Sequence, residues 1–98
     1  MNYRRMGRTG LKVSEICLGT MTFGNRTDAT EARRIVDHAF AQGVNFFDTA
    51  DGYSNGRSEE ILGSILQGRR RQSVIATKLL NPMGPGPNDS GMSRVHIM

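Results

Sequence analysis

The stretch "NFFDTADGYSNGRSEEILG", residues 45–63, decides the fold. It starts inside the apolar run Val44–Phe47, turns polar at Asp48, and regains apolar residues at Ile61, Leu62, Ile65 and Leu66. An apolar run without alternation predicts a strand covered on both sides. The i, i+1, i+4, i+5 spacing after it predicts a helix with one buried stripe. Ser58 is placed to cap that helix, Glu59 and Glu60 suit the positive end of its dipole, and Gly68 ends it. Between strand and helix lies the loop "DTADGYSNGR", which brings a carboxylate, Asp48, and a phenol, Tyr53, to the mouth of the strand.

Upstream, Asp28 and Glu31 form a capping-box pair at the start of another helix. Its stripe is Ala32, Ile35, Val36, Ala39 and Phe40, with Arg33, Arg34, Asp37 and His38 on the wet face and Gly43 as the C′ residue. Before it, "EICLGTM" predicts a strand ending at Gly19, followed by a loop over 20–27. "YRRM" and "LKVS" flank "GRTG" as a hairpin. Downstream, "SVIATK" predicts a third buried strand. "LLNPMGPGPNDSGM" is too rich in proline and glycine for regular structure, and "SRVHIM" reads as a serine-capped helix start. Strand ends at Gly19, Asp48 and Lys78 give units of 29 and 30 residues. The alternation predicts an α/β fold with parallel strands and right-handed crossovers. A (β/α)8 TIM barrel of about 250 residues divides into units of about 31. A doubly wound sheet has similar units, so spacing leaves both open.

Ninety-eight residues, 37% hydrophobic and 22% charged, make one small domain at most. The single cysteine, Cys17, excludes an internal disulfide and fits a reducing compartment. No apolar run approaches the roughly 18 residues of a membrane span, and no h-region follows the N-terminal charges, so a cytoplasmic location and no membrane partner are expected. Net charge is +4. The basic residues gather at Arg4, Arg5, Arg8 and Lys12 and at Arg69–Arg71, without zinc spacing, helix-turn-helix signature or aromatic RNA motif. Solvated structural charge is the expectation, and nucleic acid is not an expected partner.

In either parallel architecture, sites form at the carboxyl ends of strands. Asp48 closes the second strand, Tyr53 lies in the loop above it, and Lys78 closes the third. A lysine at the end of a buried strand needs a partner, and Asp48 is the obvious one. The positive field beside a phenol lowers its pKa from about 10, which suits it to act as a general acid toward a carbonyl oxygen. Each residue alone also has a structural reading, Asp48 as a turn former or cap and Tyr53 as packing; their joint placement favours the site. "GTMTFGNR" is neither a dinucleotide fingerprint nor a P-loop. His38 and His96 read as surface residues and not as metal ligands. Cys17 reads as a small core residue inside a strand.

"YRRMGRTGLKVSEICLGTMTFG", "GVNFFDTADGYSNGRSEEILG", "VIATK" and "PNDSGMSRVHI" together resemble the amino-terminal third of an aldo-keto reductase. The resemblance implies a (β/α)8 barrel closed at its bottom by the hairpin, of which residues 1–98 are the N-terminal part of one domain, truncated after about three strands and two helices. It implies NADP(H)-dependent reduction of a small-molecule carbonyl substrate. By carry-over, Tyr53 protonates the carbonyl oxygen, Lys78 depresses the Tyr53 pKa, and Asp48 holds Lys78. Gly19, Thr20, Met21 and Asp48 would lie beside the nicotinamide, and Cys17 stands where the family usually has glycine. The family's fourth catalytic residue, a histidine at the top of the fourth strand, has no counterpart, because His96 precedes that strand. The chain alone is therefore expected to be poorly folded and inactive, with its inner face open to water and two strand edges unpaired. The alternative is a non-catalytic binding or regulatory subunit, since related barrels also serve as channel-associated subunits. Neither the substrate nor the oligomeric state is legible.

Overall fold

The computed structural model describes all residues, 1–98. Strands β1 (Tyr3–Arg5) and β2 (Lys12–Ser14) pair antiparallel, with Tyr3 opposite Ser14 and Arg5 opposite Lys12. The hairpin is tied to the rest of the chain at two points. The Tyr3 hydroxyl donates to the Gly43 carbonyl at 2.7 Å. The Ser14 amide donates to Asn45 Oδ1 at 2.8 Å, and Asn45 Nδ2 returns a bond to the Lys12 carbonyl at 3.1 Å. Both anchors precede the next strand, so the hairpin sits at the amino-terminal end of the sheet, opposite the end that carries Asp48.

Strands β3 (Leu18–Gly19), β4 (Phe46–Asp48) and β5 (Val74–Ala76) form a parallel sheet in sequential order. Between them run helices α1 (Ala29–Ala41) and α2 (Arg57–Ile65). Asp28 caps α1 as expected, its carboxylate accepting from the Glu31 amide at 2.8 Å. Gly43, at φ +92°, turns the chain out of that helix.

The register separates the two sheet faces. Leu18, Phe47 and Ile75 form one row across the three strands, and Gly19, Asp48 and Ala76 form the next. The first row packs into a single cluster with Ala32 and Val36 of α1 and with Ile61, Leu62 and Ile65 of α2. Phe40 stacks on Phe47 with centroids 5.9 Å apart, and the Arg69 guanidinium lies 4.8 Å over the Phe40 ring while pairing with Asp37. Both helices therefore cover the same face. Sequential strand order with right-handed crossovers puts both helices on one face in a barrel and in one half of a doubly wound sheet alike. The chain is an open α/β wall of three parallel strands, not a closed barrel.

The expectation that the second strand is covered on both sides is corrected: only the Phe47 side is covered, and Phe46 and Val74 are half-exposed on the other. Cys17 is corrected too. The first parallel strand is two residues long, and Cys17 precedes it as an exposed thiol. Ser58 is not a helix cap, because Gly56, at φ +91°, occupies the N-cap position of α2. Ser58 lies inside the first turn and is fully buried. The loop over 79–92 is irregular, as its prolines and glycines require, and it closes on itself through Asp89. The Asp89 carboxylate accepts from the Gly86 amide at 2.8 Å and its carbonyl from the Met83 amide at 2.8 Å. Ser93 then caps the one-turn helix α3 (Arg94–Ile97).

Candidate active site

Three backbone bonds continue the parallel pairing past the strands. The Thr20 amide donates to the Asp48 carbonyl at 3.0 Å, Thr49 to Ala76 at 2.8 Å, and Asp51 to Lys78 at 3.1 Å. This extension holds the three strand tops together and aims Asp48 and Lys78, both on the uncovered face, at one point. Lys78 Nζ lies 2.8 Å from Asp48 Oδ1, 2.9 Å from Asp48 Oδ2, 2.8 Å from the Thr49 carbonyl and 3.3 Å from the Tyr53 hydroxyl. An ammonium has three N–H groups, and here four oxygens surround them. The Asp48 carboxylate bonded to this ammonium holds the Lys78 pKa above the ordinary lysine value; desolvation opposes it, and the Tyr53 hydroxyl adds to the rise. Asp48, Tyr53 and Lys78 thus converge as their spacing suggests.

Tyr53 opens a 3-10 turn, Tyr53–Gly56, in which Ser54 and Asn55 take left-handed φ values of 50° and 53°. Two consecutive non-glycine residues in that region cost energy and persist only where the surroundings force them. The turn brings the phenol back over the ammonium, whose nitrogen is 5.0 Å from the ring centroid. The Lys78 ammonium is the only partner of the Tyr53 hydroxyl, and it donates to the phenol oxygen. The phenol hydrogen therefore has no acceptor within the chain. Beside it, a cleft of about 410 Å³ opens between Tyr53 and the loop carrying Met21, Thr22 and Arg26. A smaller one of about 210 Å³ lies on its other side, against Lys78, Leu79 and Asn81.

The residues expected beside a nicotinamide divide. Gly19 pairs with Asp48 on the uncovered face, and a Cβ built there meets nothing within 4 Å. A flat ring can lie over that gap against the Asp48 carboxylate, and Met21, 65% exposed, lines the cleft beside Tyr53. Those residues fit a nicotinamide. Thr20 does not face the gap. It is buried, with its hydroxyl 3.0 Å from the Asp48 carbonyl and 2.9 Å from Ser58 Oγ, so it supports the strand tops from the helix side.

His96 also departs from its reading as a surface residue. Its side chain is 7% exposed, and Nε2 is buried 3.5 Å from Asp51 Oδ2 without a hydrogen bond. It joins α3 to the loop below Tyr53 and takes no part in the Asp48–Tyr53–Lys78 cluster. Sequence reasoning missed the Thr49 carbonyl and the buried Ser58 hydroxyl. A carbonyl carries no residue signature, and a serine before two glutamates looks like a cap wherever its side chain points. No group of three or more His, Cys, Asp or Glu side chains is placed to hold a metal ion. No helix is long and apolar enough to cross a membrane.

The sequence profile of the aldo/keto reductase family matches residues 15–98. In Arabidopsis thaliana, a protein named "Probable voltage-gated potassium channel subunit beta" is 46% identical over 101 residues, covering 100% of this chain and 31% of its own length. The "Uncharacterized oxidoreductase YrpG" of Bacillus subtilis (strain 168) is 46% identical over 99 residues, covering 91% of this chain and 30% of its own. Among solved structures, the holo form of aldo-keto reductase AKR11C1 from Bacillus halodurans superposes with a TM-score of 0.84 at 39% identity, covering 99% of this chain and 33% of that one. The chain thus spans about a third of the length of these relatives. With a family match over 84 of its residues and the barrel-wall topology those relatives share, the chain belongs to the aldo/keto reductase family.

Proposed function

We propose that residues 1–98 form one wall of the active site of an NADP(H)-dependent carbonyl reductase, as part of a single barrel domain in the cytoplasm. The reaction is reduction of an aldehyde or ketone to an alcohol. The observation that carries it is the hydrogen bonding of Tyr53: its oxygen accepts from the Lys78 ammonium while its hydrogen is unclaimed. A group so arranged donates its proton outward, toward an atom bound in the adjoining cleft.

In this reading the carbonyl oxygen of the substrate rests against the Tyr53 hydroxyl, in the cleft beside Met21 and Arg26. Gly19, Asp48 and Met21 would hold a nicotinamide, which when bound would supply the hydride that the carbonyl carbon takes up. As negative charge grows on the carbonyl oxygen, the Tyr53 proton moves to it. The charge left on the phenol oxygen is met by the Nζ–H of Lys78, a preorganised cation that needs no reorientation. Asp48 keeps that ammonium in place through both carboxylate oxygens, and the Thr49 carbonyl fixes it from below. Membership in a family that works with nicotinamide cofactors supports the cofactor class.

A second reading is a regulatory or binding subunit without turnover. The 46% identity to a plant protein named as a potassium channel subunit beta favours it. A chimaera in which residues 1–98 replace the matching segment of the Bacillus halodurans reductase separates the two. NADPH consumption dependent on an added aldehyde supports the enzyme reading. A folded chimaera that binds NADPH yet leaves every aldehyde unreduced supports the second.

A further inference from the structure

A cluster of three buried hydroxyls lies beneath the site, and no step of the proposed reaction uses it. Ser58 is 0% exposed, Thr20 1% and Thr49 2%. Ser58 Oγ donates to the Thr20 carbonyl at 2.7 Å and lies 2.9 Å from Thr20 Oγ1 and 3.2 Å from Thr49 Oγ1. It is the one side chain that hydrogen-bonds both threonines. Each threonine follows a residue of the site. Thr20 follows Gly19, and both its amide and its hydroxyl bond the Asp48 carbonyl. Thr49 follows Asp48, and its carbonyl accepts from Lys78 Nζ.

We infer that Ser58 is a positioning residue of the Asp48–Tyr53–Lys78 site, locking the tops of β3 and β4 to the first turn of α2 so that the Asp48 carboxylate and the Thr49 carbonyl meet the Lys78 ammonium together. The inference rests on the site proposed above and assigns it a support within the helix layer. Three features carry it. A hydroxyl at zero exposure is retained in a core only where its hydrogen bonds are met. Here those bonds run to residues 38 and 9 positions away in the chain, just past the ends of two strands. Nor is the cluster needed to start the helix, because Gly56 already turns the chain into α2. Ser58 also pins the far end of the turn that carries Tyr53. Ser54 and Asn55 keep their left-handed conformations between an anchor on β4 and this anchor on α2, and strain of that kind relaxes once one anchor is lost.

The readout is the titration of the Lys78 side chain, followed by carbon NMR of its Cε in the chimaera described above, with the Lys78 signal assigned by its loss in Lys78→Arg. Ser58→Ala removes the cluster's centre. Its expected result is a downward shift of the Lys78 midpoint toward the free-lysine value, as Asp48 and Thr49 drift from the ammonium. Ser73→Ala is the control. It deletes a hydroxyl that is also buried and bonded, to the Arg69 carbonyl at 3.0 Å, but lies outside the site. It is expected to lower stability and leave Lys78 unmoved. Thr49→Val keeps the shape of residue 49 and deletes a hydroxyl whose one partner is Ser58. It decides the matter if Ser58→Ala does not fold, and its expected result is again a lowered midpoint. A Lys78 midpoint unchanged in folded Ser58→Ala or Thr49→Val, or lowered equally by Ser73→Ala, overturns the inference. Absence of turnover counts against the proposed reaction and leaves this result standing, because the titration requires no substrate.

Discussion

The Lys78 ammonium is held by a carboxylate, a carbonyl and a phenol oxygen, and that environment sets how the residue titrates. Its pKa is raised, first by the hydrogen bond to Asp48. The folded state therefore favours the charged form. The stability linked to this group is complete below the free-lysine value near 10.4 and is lost as pH rises through the higher folded midpoint. With half of the side chain in solvent, the effect on global stability is small. Its effect on the site is larger, since above that midpoint Tyr53 faces a neutral amine; carbonyl reduction is predicted to fall along the same curve in a pH–rate profile. Asp48 reaches a second group. Although Cys17 is exposed, desolvation by the atoms around its sulfur pushes the thiol up, the Asp48 carboxylate pushes it further, and Lys78 opposes both. Asp48→Asn is thus predicted to lower the Cys17 midpoint and speed its alkylation by iodoacetamide at fixed pH. Alkylation slowed or unchanged in a folded variant contradicts the placement of Cys17 beside that carboxylate. Asp48 and Lys78 were legible because charged residues that end apolar runs have few places to go. The Thr49 carbonyl was not, and it contributes as close a contact to the ammonium as either carboxylate oxygen.

At the level of elements, the features written locally came through and those set at a distance did not. The Asp28 cap, the apolar stripes of both helices and the Gly43 exit each depend on residues within about one helical turn, and a pattern in the chain records them. Ser58 has the same local surroundings as a cap. What distinguishes it is the position of Thr20, 38 residues earlier, which no local pattern carries. The same holds for Cys17, whose face is exposed because of how the strands assemble. Gly43 provides a test at this scale. Its φ of +92° disfavours any side chain, and a Cβ there would lie 2.9 Å from Met1 Cβ and 3.0 Å from the Tyr3 hydroxyl oxygen. That same oxygen anchors the hairpin to the Gly43 carbonyl. Gly43→Ala is predicted to cost more than about 1 kcal/mol in urea unfolding and to raise amide exchange in β1 and β2. Exchange confined to α1, with the hairpin still protected, would show that the hairpin does not depend on this contact.

For the whole molecule, the decisive feature is a core on one side of the sheet only. The chain measures 43 × 36 × 21 Å, a curved slab in which 16 of 98 residues are buried. Phe47 is the largest of the fully buried side chains and stands between both helices and the sheet. Large-to-small changes at such a position cost about 3–5 kcal/mol, against a total of about 5–15 for an ordinary domain. In the chimaera, Phe47→Ala is accordingly predicted to lower the temperature of the unfolding transition in calorimetry; a transition retained near its original temperature would mean that the cluster is not the unit that holds this part of the fold. The opposite face carries Asp48, Lys78, Gly19 and the half-exposed Phe46 and Val74. The strand–helix alternation announced a parallel sheet, and a 30-residue unit was compatible with two architectures. The shared face of α1 and α2 fits both as well, and the superposition on a solved aldo-keto reductase decided for the barrel, because closure is a property of strands beyond these three.

The proposed reaction stands or falls on the Tyr53 proton. In the chimaera carrying residues 1–98, kcat for NADPH-dependent aldehyde reduction is measured before and after Tyr53→Phe, with NADPH affinity measured by fluorescence in both. Loss of the general acid predicts a fall in kcat of at least about 100-fold with NADPH affinity unchanged. A variant that keeps its rate while lacking the hydroxyl would contradict the assignment of Tyr53 as the proton donor, and with it the role given to Lys78 and Asp48.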